Sequence, residues 1–252
     1  MSVYVYGALI IGGASLAAAL VLLIVFRVGQ NERREANNDV NGLVFAIVGV
    51  LYAIVVGFVV TAQWEAVGNA RSAAAQEANG LVRLYWAADA LPADRRTEVR
   101  ALARRYGAVV RDEEWPAMAA ARPVGPDGQR LLNQLAGAAQ PPAELGDTQA
   151  GDLSAGLGDV LEGRQERLTL ATQDLSGMMW FVLIAGGVLT IALAYLFGVP
   201  NRAAHMVMVV SLVGTVALLL YASYQLQYPF GPATHLRPTD MTAALRLLGG
   251  SP

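Results

Sequence analysis

The sequence predicts an all-α integral membrane protein with four transmembrane helices and a helical extramembrane segment between spans two and three. Three observations lead to this class. Apolar residues make up 55% of the 252 residues and charged residues only 15%. Four apolar runs are long enough to cross a bilayer, which takes about 20 residues. The region between the second and third runs is polar enough to lie in water.

The four runs lie at residues 4–26, 43–62, 178–199 and 203–224. None of them contains Asp, Glu, Lys or Arg. One such run can be a buried helix of a soluble protein, but four in one chain predict a multi-pass protein of the cell membrane. Proton-coupled transporters, pumps and voltage sensors usually carry ionisable groups inside their spans. The absence of such groups favours a passive pore or a membrane anchor.

The spans divide the chain into four regions. We predict a first helix pair at 1–62, an extramembrane segment at 63–177, a second helix pair at 178–225 and a tail at 226–252. The helix of the second span is expected to continue without a break to about residue 90, because residues 63–90 contain no proline and many alanines.

Further helices are predicted in the extramembrane segment and in the tail, at 93–114, 157–174 and 239–248. Residues 117–156 are rich in Ala, Gly and Pro, which is typical of a mobile linker, with one short helix near 129–135. In the tail helix, one small apolar face is expected to contain Met241, Leu245 and Leu248.

Composition excludes several kinds of chemistry. There is no cysteine and no lysine, so thiolate metal sites, cysteine nucleophiles, a Walker A loop and a Schiff-base lysine are all ruled out. The residues form no catalytic constellation and no metal-ligand spacing, so we predict no enzyme activity, no cofactor and no metal site. The net charge of −2 argues against a nucleic-acid partner.

An acidic run, Asp112–Glu114, directly precedes Trp115 and Pro116. Its carboxylates can be interpreted as cation ligands. They can also form a solvated helix end whose tryptophan docks on a neighbouring element. We favour the second interpretation, because the spacing is not that of an EF-hand loop.

Two stripes run along the second span. At about 100° per residue, one side of the helix carries seven residues that are polar at both ends and apolar between them: Asn41, Phe45, Val48, Tyr52, Val56, Val59 and Gln63. A second stripe consists of small residues that permit close helix packing: Gly42, Ala46, Gly49, Ala53 and Gly57. The first stripe can line a pore with an apolar neck. Alternatively, both stripes are ordinary contacts within a helix bundle.

Short motifs continue from the second span into the extramembrane segment. In chain order they are Asn41-Gly42, Gly49-Val50-Leu51-Tyr52-Ala53, Gly57-Phe58-Val59-Val60, Trp64, Glu77-Ala78, Leu84-Tyr85, Leu91-Pro92, Tyr106 and Glu114-Trp115-Pro116. This order resembles the bestrophin-like domain family of bacterial membrane proteins. The resemblance covers nearly the whole chain and is strongest over residues 38–116.

That family is distantly similar to bestrophins, which are ring-shaped and usually pentameric ion channels with a pore lined by the second span. The resemblance therefore implies a homo-oligomer, such as a pentamer, that lies in the lipid bilayer and conducts inorganic ions passively. The acidic calcium site of bestrophins cannot be matched here residue by residue. The alternative function is a membrane-anchored interaction or sensory module without transport activity.

Two arguments predict opposite orientations in the membrane. Arg27, Arg33 and Arg34 follow the first span, so the positive-inside rule places that loop in the cytoplasm and the extramembrane segment outside. The resemblance to bestrophins implies the reverse, with both termini and the extramembrane segment in the cytoplasm.

Overall fold

The structure is a computed structural model that describes residues 3–28, 38–197 and 201–249, and all regular elements within these residues are helical. Arg33 and Arg34 lie outside the described residues. The α-helices, in chain order, are α1 (Val3–Val28), α2 (Asn38–Ala87), α3 (Ala93–Val109), α4 (Trp115–Ala119), α5 (Asp127–Ala138), α6 (Asp147–Thr172), α7 (Gly177–Ala194), α8 (Arg202–Leu226) and α9 (Thr239–Leu247). A 3₁₀ turn (Ala88–Ala90) follows α2, and a π-helical turn (Val110–Glu114) follows α3.

Four helices, α1, α2, α7 and α8, are long and apolar enough to cross a membrane. The chain is therefore an all-α, multi-pass membrane protein, as the sequence predicts. Its residues form two compact units. The spanning unit comprises residues 1–63 and 174–227, and the extramembrane unit comprises residues 64–173 and 228–252.

In the spanning unit, α1 packs along α8. Leu22 and Val209 are completely buried in the cluster that these helices form. Near the start of α1, Gly7 faces the ring of Tyr221 so closely that a Cβ atom would lie 2.6 Å from its Cε1 atom. The outward sides of α1 are apolar and exposed, for example at Leu16 and Ile24, as expected of a helix that faces lipid.

Helix α2 is one continuous helix of 50 residues, which confirms that the second span extends without a break. At 1.5 Å per residue its length is about 75 Å. The helix ends at the 3₁₀ turn, and Pro92 then opens α3 from its N-cap position. Proline has no backbone N–H group. At this position the loss costs nothing, because an N–H group here would have no partner within the helix.

The core of the extramembrane unit is formed by α2, α3, α5, α6 and α9. Helix α6 lies directly on α2, and glycines make this close approach possible. A Cβ atom on Gly156 would lie 2.8 Å from the backbone nitrogen of Leu84, and one on Gly163 would lie 2.5 Å from that of Glu77. The predicted apolar face of the tail helix is buried in this unit.

The structure differs from the predictions in the region 117–156. Helix α5 is longer than the expected short helix, and α6 begins at Asp147, ten residues before its predicted start. Leu132 and Leu135 of α5 and Leu153 of α6 are almost completely buried in the core. Tertiary packing stabilises these helices, and the Ala- and Gly-rich composition does not reveal it.

The predicted helix at 93–114 also changes character near its end. The α-helix stops at Val109, and the next five residues form the π-helical turn that contains the acidic run. Helix α4 follows directly, with Pro116 in its first turn. π-Helical turns are uncommon and frequently occur at functional positions, so this turn marks a candidate functional region of the unit.

Candidate functional site

The stripe predicted to line a pore lies largely on the inward side of α2, within the spanning unit. Tyr52, Val56 and Val59 are buried against Leu183 of α7 and Val216 of α8. The ring of Tyr52 is seated on two consecutive glycines of α7. A Cβ atom on Gly186 would lie 2.7 Å from Tyr52 Cδ2.

The ends of the stripe also form contacts inside one subunit. Gln63 Nε2 donates a 2.8 Å hydrogen bond to the Ser223 carbonyl, and Asn41 Nδ2 donates one of 3.3 Å to the Leu196 carbonyl. Phe45 meets Phe197 edge to face, with 5.6 Å between ring centroids. Val48 is half-buried. The assignment of this stripe to a pore stays a prediction, and its burial within one subunit counts against it.

The stripe of small residues, in contrast, is open within the spanning unit. A Cβ atom on Gly49 or Gly57 would meet no described atom within 4 Å, and one on Gly42 would meet only Phe197, at 3.9 Å. Ala46 and Ala53 are exposed. This side of α2 is therefore available for close contact with something outside the described chain.

A second candidate site lies in the extramembrane unit, where four charged side chains are buried together. They are Glu77 of α2, Glu114 of the π-helical turn, and Arg164 and Arg167 of α6. The exposed fraction of each is no more than 3%. Burying a charge costs free energy unless it is paired and hydrogen-bonded, so the geometry of the cluster decides whether it is stable.

Arg167 lies between the two carboxylates. Its Nε donates to Glu77 Oε2 at 2.5 Å, and its Nη2 donates to Glu77 Oε1 at 3.0 Å and to Glu114 Oε2 at 2.7 Å. Arg164 binds Glu114 in a bidentate manner, with N···O distances of 2.9 and 2.7 Å. The formal charges of the two pairs cancel.

Neighbouring groups complete the hydrogen bonding of this ion cluster. The Tyr106 hydroxyl donates to Glu77 and accepts from Arg164 Nη1 at 3.3 Å. The guanidinium of Arg167 also contacts Met118 Sδ at 3.3 Å. Gly128 of α5 lies directly against the Glu114 carboxylate, where any side chain would collide with it.

The charges of the cluster shift the pKa values of its members. Burial raises the pKa of Glu114, but the hydrogen bonds and charges of Arg164 and Arg167 outweigh burial and hold it below its ordinary value. Burial and the nearby Glu77 carboxylate raise the pKa of Tyr106 well above its ordinary value. At neutral pH Glu114 is therefore charged and Tyr106 is protonated.

These contacts decide between the interpretations of the acidic run. Glu114 is neutralised by two arginines, and Asp112 is held by Arg111 at 2.7 Å, so neither carboxylate is free for a cation. No cluster of metal-ligating side chains occurs among residues 3–28, 38–197 and 201–249. Trp115 docks on a neighbour, as the favoured interpretation expects, because its Nε1 donates to the Leu236 carbonyl at 3.3 Å. That interpretation was wrong about Glu114, which is buried rather than solvated because two arginines neutralise it.

Sequence reasoning missed the arginines of the ion cluster, although a signal was present. The buried side of α6 follows the helical period through Val160, Gly163 and Leu170. Arg167 occupies a position on this side where an apolar residue is expected. A buried positive charge at such a position requires a buried partner. A carboxylate on a facing helix can both neutralise it and accept its hydrogen bonds.

Comparisons with known proteins agree with this architecture. The family model described as "Bestrophin-like domain" matches residues 12–241. A crystal structure of a membrane protein has a TM-score of 0.72 at 17% identity, over 94% of this chain and 97% of that one. A bacterial bestrophin homolog from Klebsiella pneumoniae has a TM-score of 0.71 at 16% identity, over 96% and 97%.

Among curated proteins, none matches the sequence. The family model nevertheless covers most of the chain, from the first span to the tail helix. The two crystal structures match the fold of the chain over nearly its whole length. The chain belongs to the bestrophin-like domain family.

Proposed function

We propose that the chain forms a homo-oligomeric, bestrophin-like ion channel through which inorganic ions pass passively, with α2 lining the pore. Members of this family are typically channels rather than enzymes. The fold likeness to a bacterial bestrophin homolog supports the same class. The predicted spans lack Asp, Glu, Lys and Arg, the charged residues that active transporters usually carry there.

The observation that carries the proposal is the outward side of α2. At about 100° per residue, Leu43, Val50, Ile54 and Thr61 lie within about 40° of the line opposite Tyr52. The exposed fractions of the three apolar residues are 64%, 61% and 50%. The spanning unit does not cover this side, so lipid, another subunit or a pore must face it.

We place the pore lining on this outward side rather than on the predicted stripe. Side chains that are exposed in one subunit can face a central axis without breaking a contact within that subunit. The small-residue stripe lies about 80° around the helix from the centre of the outward side. There it lets the α2 helix of the next subunit approach closely. A ring of such helices has an apolar neck, which can close by expelling water.

Ion flux from liposomes that contain the purified full chain tests this proposal, with anion and cation gradients measured separately. We compare Ile54→Thr on the outward side, Val56→Thr on the buried stripe and Ile24→Thr on the exposed side of α1. Threonine is β-branched like valine and isoleucine, is no larger than either, and adds a hydroxyl group. Because a polar group favours water in an apolar neck, Ile54→Thr should raise flux severalfold and Ile24→Thr should not change it.

The three variants separate the possible outcomes. An increase in flux for Val56→Thr alone would indicate that the predicted stripe of Asn41–Gln63 lines the pore. Equal effects of Ile54→Thr and Ile24→Thr would contradict a pore on α2. An absence of flux from folded oligomers under every ion gradient would favour the alternative function, a membrane-anchored interaction or sensory module.

A further inference from the structure

A basic cavity of about 520 Å³, open to solvent and lined mainly by exposed side chains, lies on the extramembrane unit between α2 and the loop that leads into α9. The side chains around it include Arg71 and Ser72 of α2, His235 and Arg237 of the loop, and Thr239 and Asp240 at the start of α9. This cavity is separate from the ion cluster and from the spanning unit, and the proposed channel function makes no use of it.

The two arginines of this cavity are not neutralised by described residues. Most other arginines of the extramembrane unit have a carboxylate, a carbonyl or a tyrosine within reach, as Arg83 has Asp152 at 3.1 Å. Arg71 and Arg237 form no ion pair with any residue that the structure describes. With Asp240 as the one acidic residue of the lining, the cavity carries a formal charge of about +1 and attracts anions.

The loop side of the cavity is held in a fixed conformation. The Thr234 hydroxyl donates to the Pro229 and Gly231 carbonyls at 2.6 and 2.9 Å. Trp115 anchors the loop through its 3.3 Å hydrogen bond to the Leu236 carbonyl. His235 has a φ of +54°, a left-handed conformation that is uncommon for residues other than glycine. Arg237 therefore extends from a loop that is already ordered.

The donors of the cavity suit a phosphate group. Guanidinium groups match the spacing of phosphate oxygens, and the hydroxyls of Ser72 and Thr239 add further donors on two sides. In the first turn of α9 the Thr239 N–H already donates to the Arg237 carbonyl at 2.8 Å, but the N–H groups of Asp240 and Met241 have no partner within the helix and favour an anion. A tetrahedral anion with several oxygens can use donors from α2, the loop and α9 together, whereas a flat carboxylate can use fewer of them.

We propose that this cavity binds a phosphate group, carried either by a free phosphate anion or by the headgroup of a membrane phospholipid. Arg71 and Arg237 neutralise the charge of the group from opposite sides of the cavity. The hydroxyls and the first turn of α9 orient it. Binding does not require ion conduction, so it can be tested whether or not the channel proposal holds.

The test uses the full chain in detergent and two probes. Inorganic phosphate is titrated by calorimetry, and phosphatidylglycerol retained after delipidation is counted by native mass spectrometry. The double variant Arg71→Gln/Arg237→Gln is compared with Arg122→Gln/Arg246→Gln, which removes the same charge from exposed positions away from the cavity. We expect the first pair of substitutions to weaken the binding of at least one probe by about tenfold. The second pair should leave the binding of that probe unchanged.

Each outcome has a definite meaning. Loss of inorganic phosphate binding in the first pair alone supports a free anion as the ligand, and loss of retained phosphatidylglycerol in that pair alone supports a lipid headgroup. Equal losses in both pairs would show only general charge attraction and would overturn the proposal. The proposal would also be overturned if the unmodified chain bound neither probe.

Discussion

The guanidinium of Arg167 donates two hydrogen bonds to the carboxylate of Glu77, a residue 90 positions earlier in the chain, and both side chains are completely buried. The pair joins α6 to α2 at the place where Gly163 lets the two helices touch. Glu114 extends the pair to the π-helical turn. The ion cluster therefore fixes the relative position of three elements within the extramembrane unit.

Removing the central arginine should destabilise the chain strongly. Arg167→Met leaves Glu77 as a buried carboxylate without its main partner, and breaking such a pair typically costs about 3–5 kcal/mol. Thermal unfolding of the purified chain in detergent measures this loss. Arg83→Met is the matched control, because its ion pair with Asp152 is half-exposed and should be worth less than about 1 kcal/mol. Equal losses in the two variants would contradict a structural role of the ion cluster.

The shifted pKa values predict how stability depends on pH. The pKa of Glu114 is lowered in the folded chain, so its contribution is complete above its unfolded pKa, about 4.3, and is lost as the pH falls through the lower folded value. The pKa of Tyr106 is raised, so its contribution is complete below about 10 and is lost as the pH rises through the higher folded value. The unfolding temperature should therefore be nearly constant from about pH 5 to pH 9.

The variant Tyr106→Phe tests the alkaline part of this dependence. It removes the phenol that titrates while it keeps the ring in place. Unfolding temperatures measured from neutral to alkaline pH should fall less steeply for the variant than for the unmodified chain. An identical alkaline fall in both proteins would show that Tyr106 does not contribute to it.

The close packing of α6 on α2 predicts opposite effects for two glycines of α6. In Gly163→Ala the new Cβ atom would lie 2.5 Å from the Glu77 nitrogen and 2.8 Å from the Ala73 oxygen, both backbone atoms that cannot rotate away. The loss should be about 1–3 kcal/mol, as for other overpacked sites. Gly158→Ala meets nothing within 4 Å and should gain up to about 1 kcal/mol from helix propensity. Thermal unfolding compares them, and a loss in both would refute the steric argument.

If α2 helices of neighbouring subunits meet through their small residues, a bulky residue there should disrupt the oligomer. Gly57→Leu places a large side chain at a position that is open within one subunit. Light scattering in detergent should then give a lower molar mass than for the unmodified chain. Gly12→Leu on α1, which is equally open, should keep the original mass. A lower mass for both variants would indicate nonspecific damage instead.

Much of the fold could be predicted from local patterns. The four spans, the continuous helix α2 and the tail helix depend on runs or periods that are visible in any window of about 20 residues. Helix α5 was predicted shorter than it is, and the first ten residues of α6 were not predicted to be helical. Their stability comes from leucines that pack into a distant core, and a composition rich in alanine and glycine hides that contribution.

The candidate sites, too, were predictable only as far as local patterns reach. The stripe on α2 was found by its period, but a helical period identifies residues that share a side without showing what that side faces. Tyr52 proved to be seated on Gly186 and Gly187 of its own subunit. The meeting of Glu77 with Arg167 could not be predicted, because no local pattern connects residues that are 90 positions apart.

The sequence by itself determined that this protein crosses a membrane four times, that its regular structure is helical and that it resembles the bestrophin-like domain family. These properties follow from hydrophobicity and helical propensity, which act over one or two dozen residues. Only the tertiary structure decided which side of α2 faces inward, how the buried carboxylates are neutralised and that Arg71 and Arg237 line the same cavity. These properties depend on which helices lie against each other, and that arrangement results from packing over the whole of each unit.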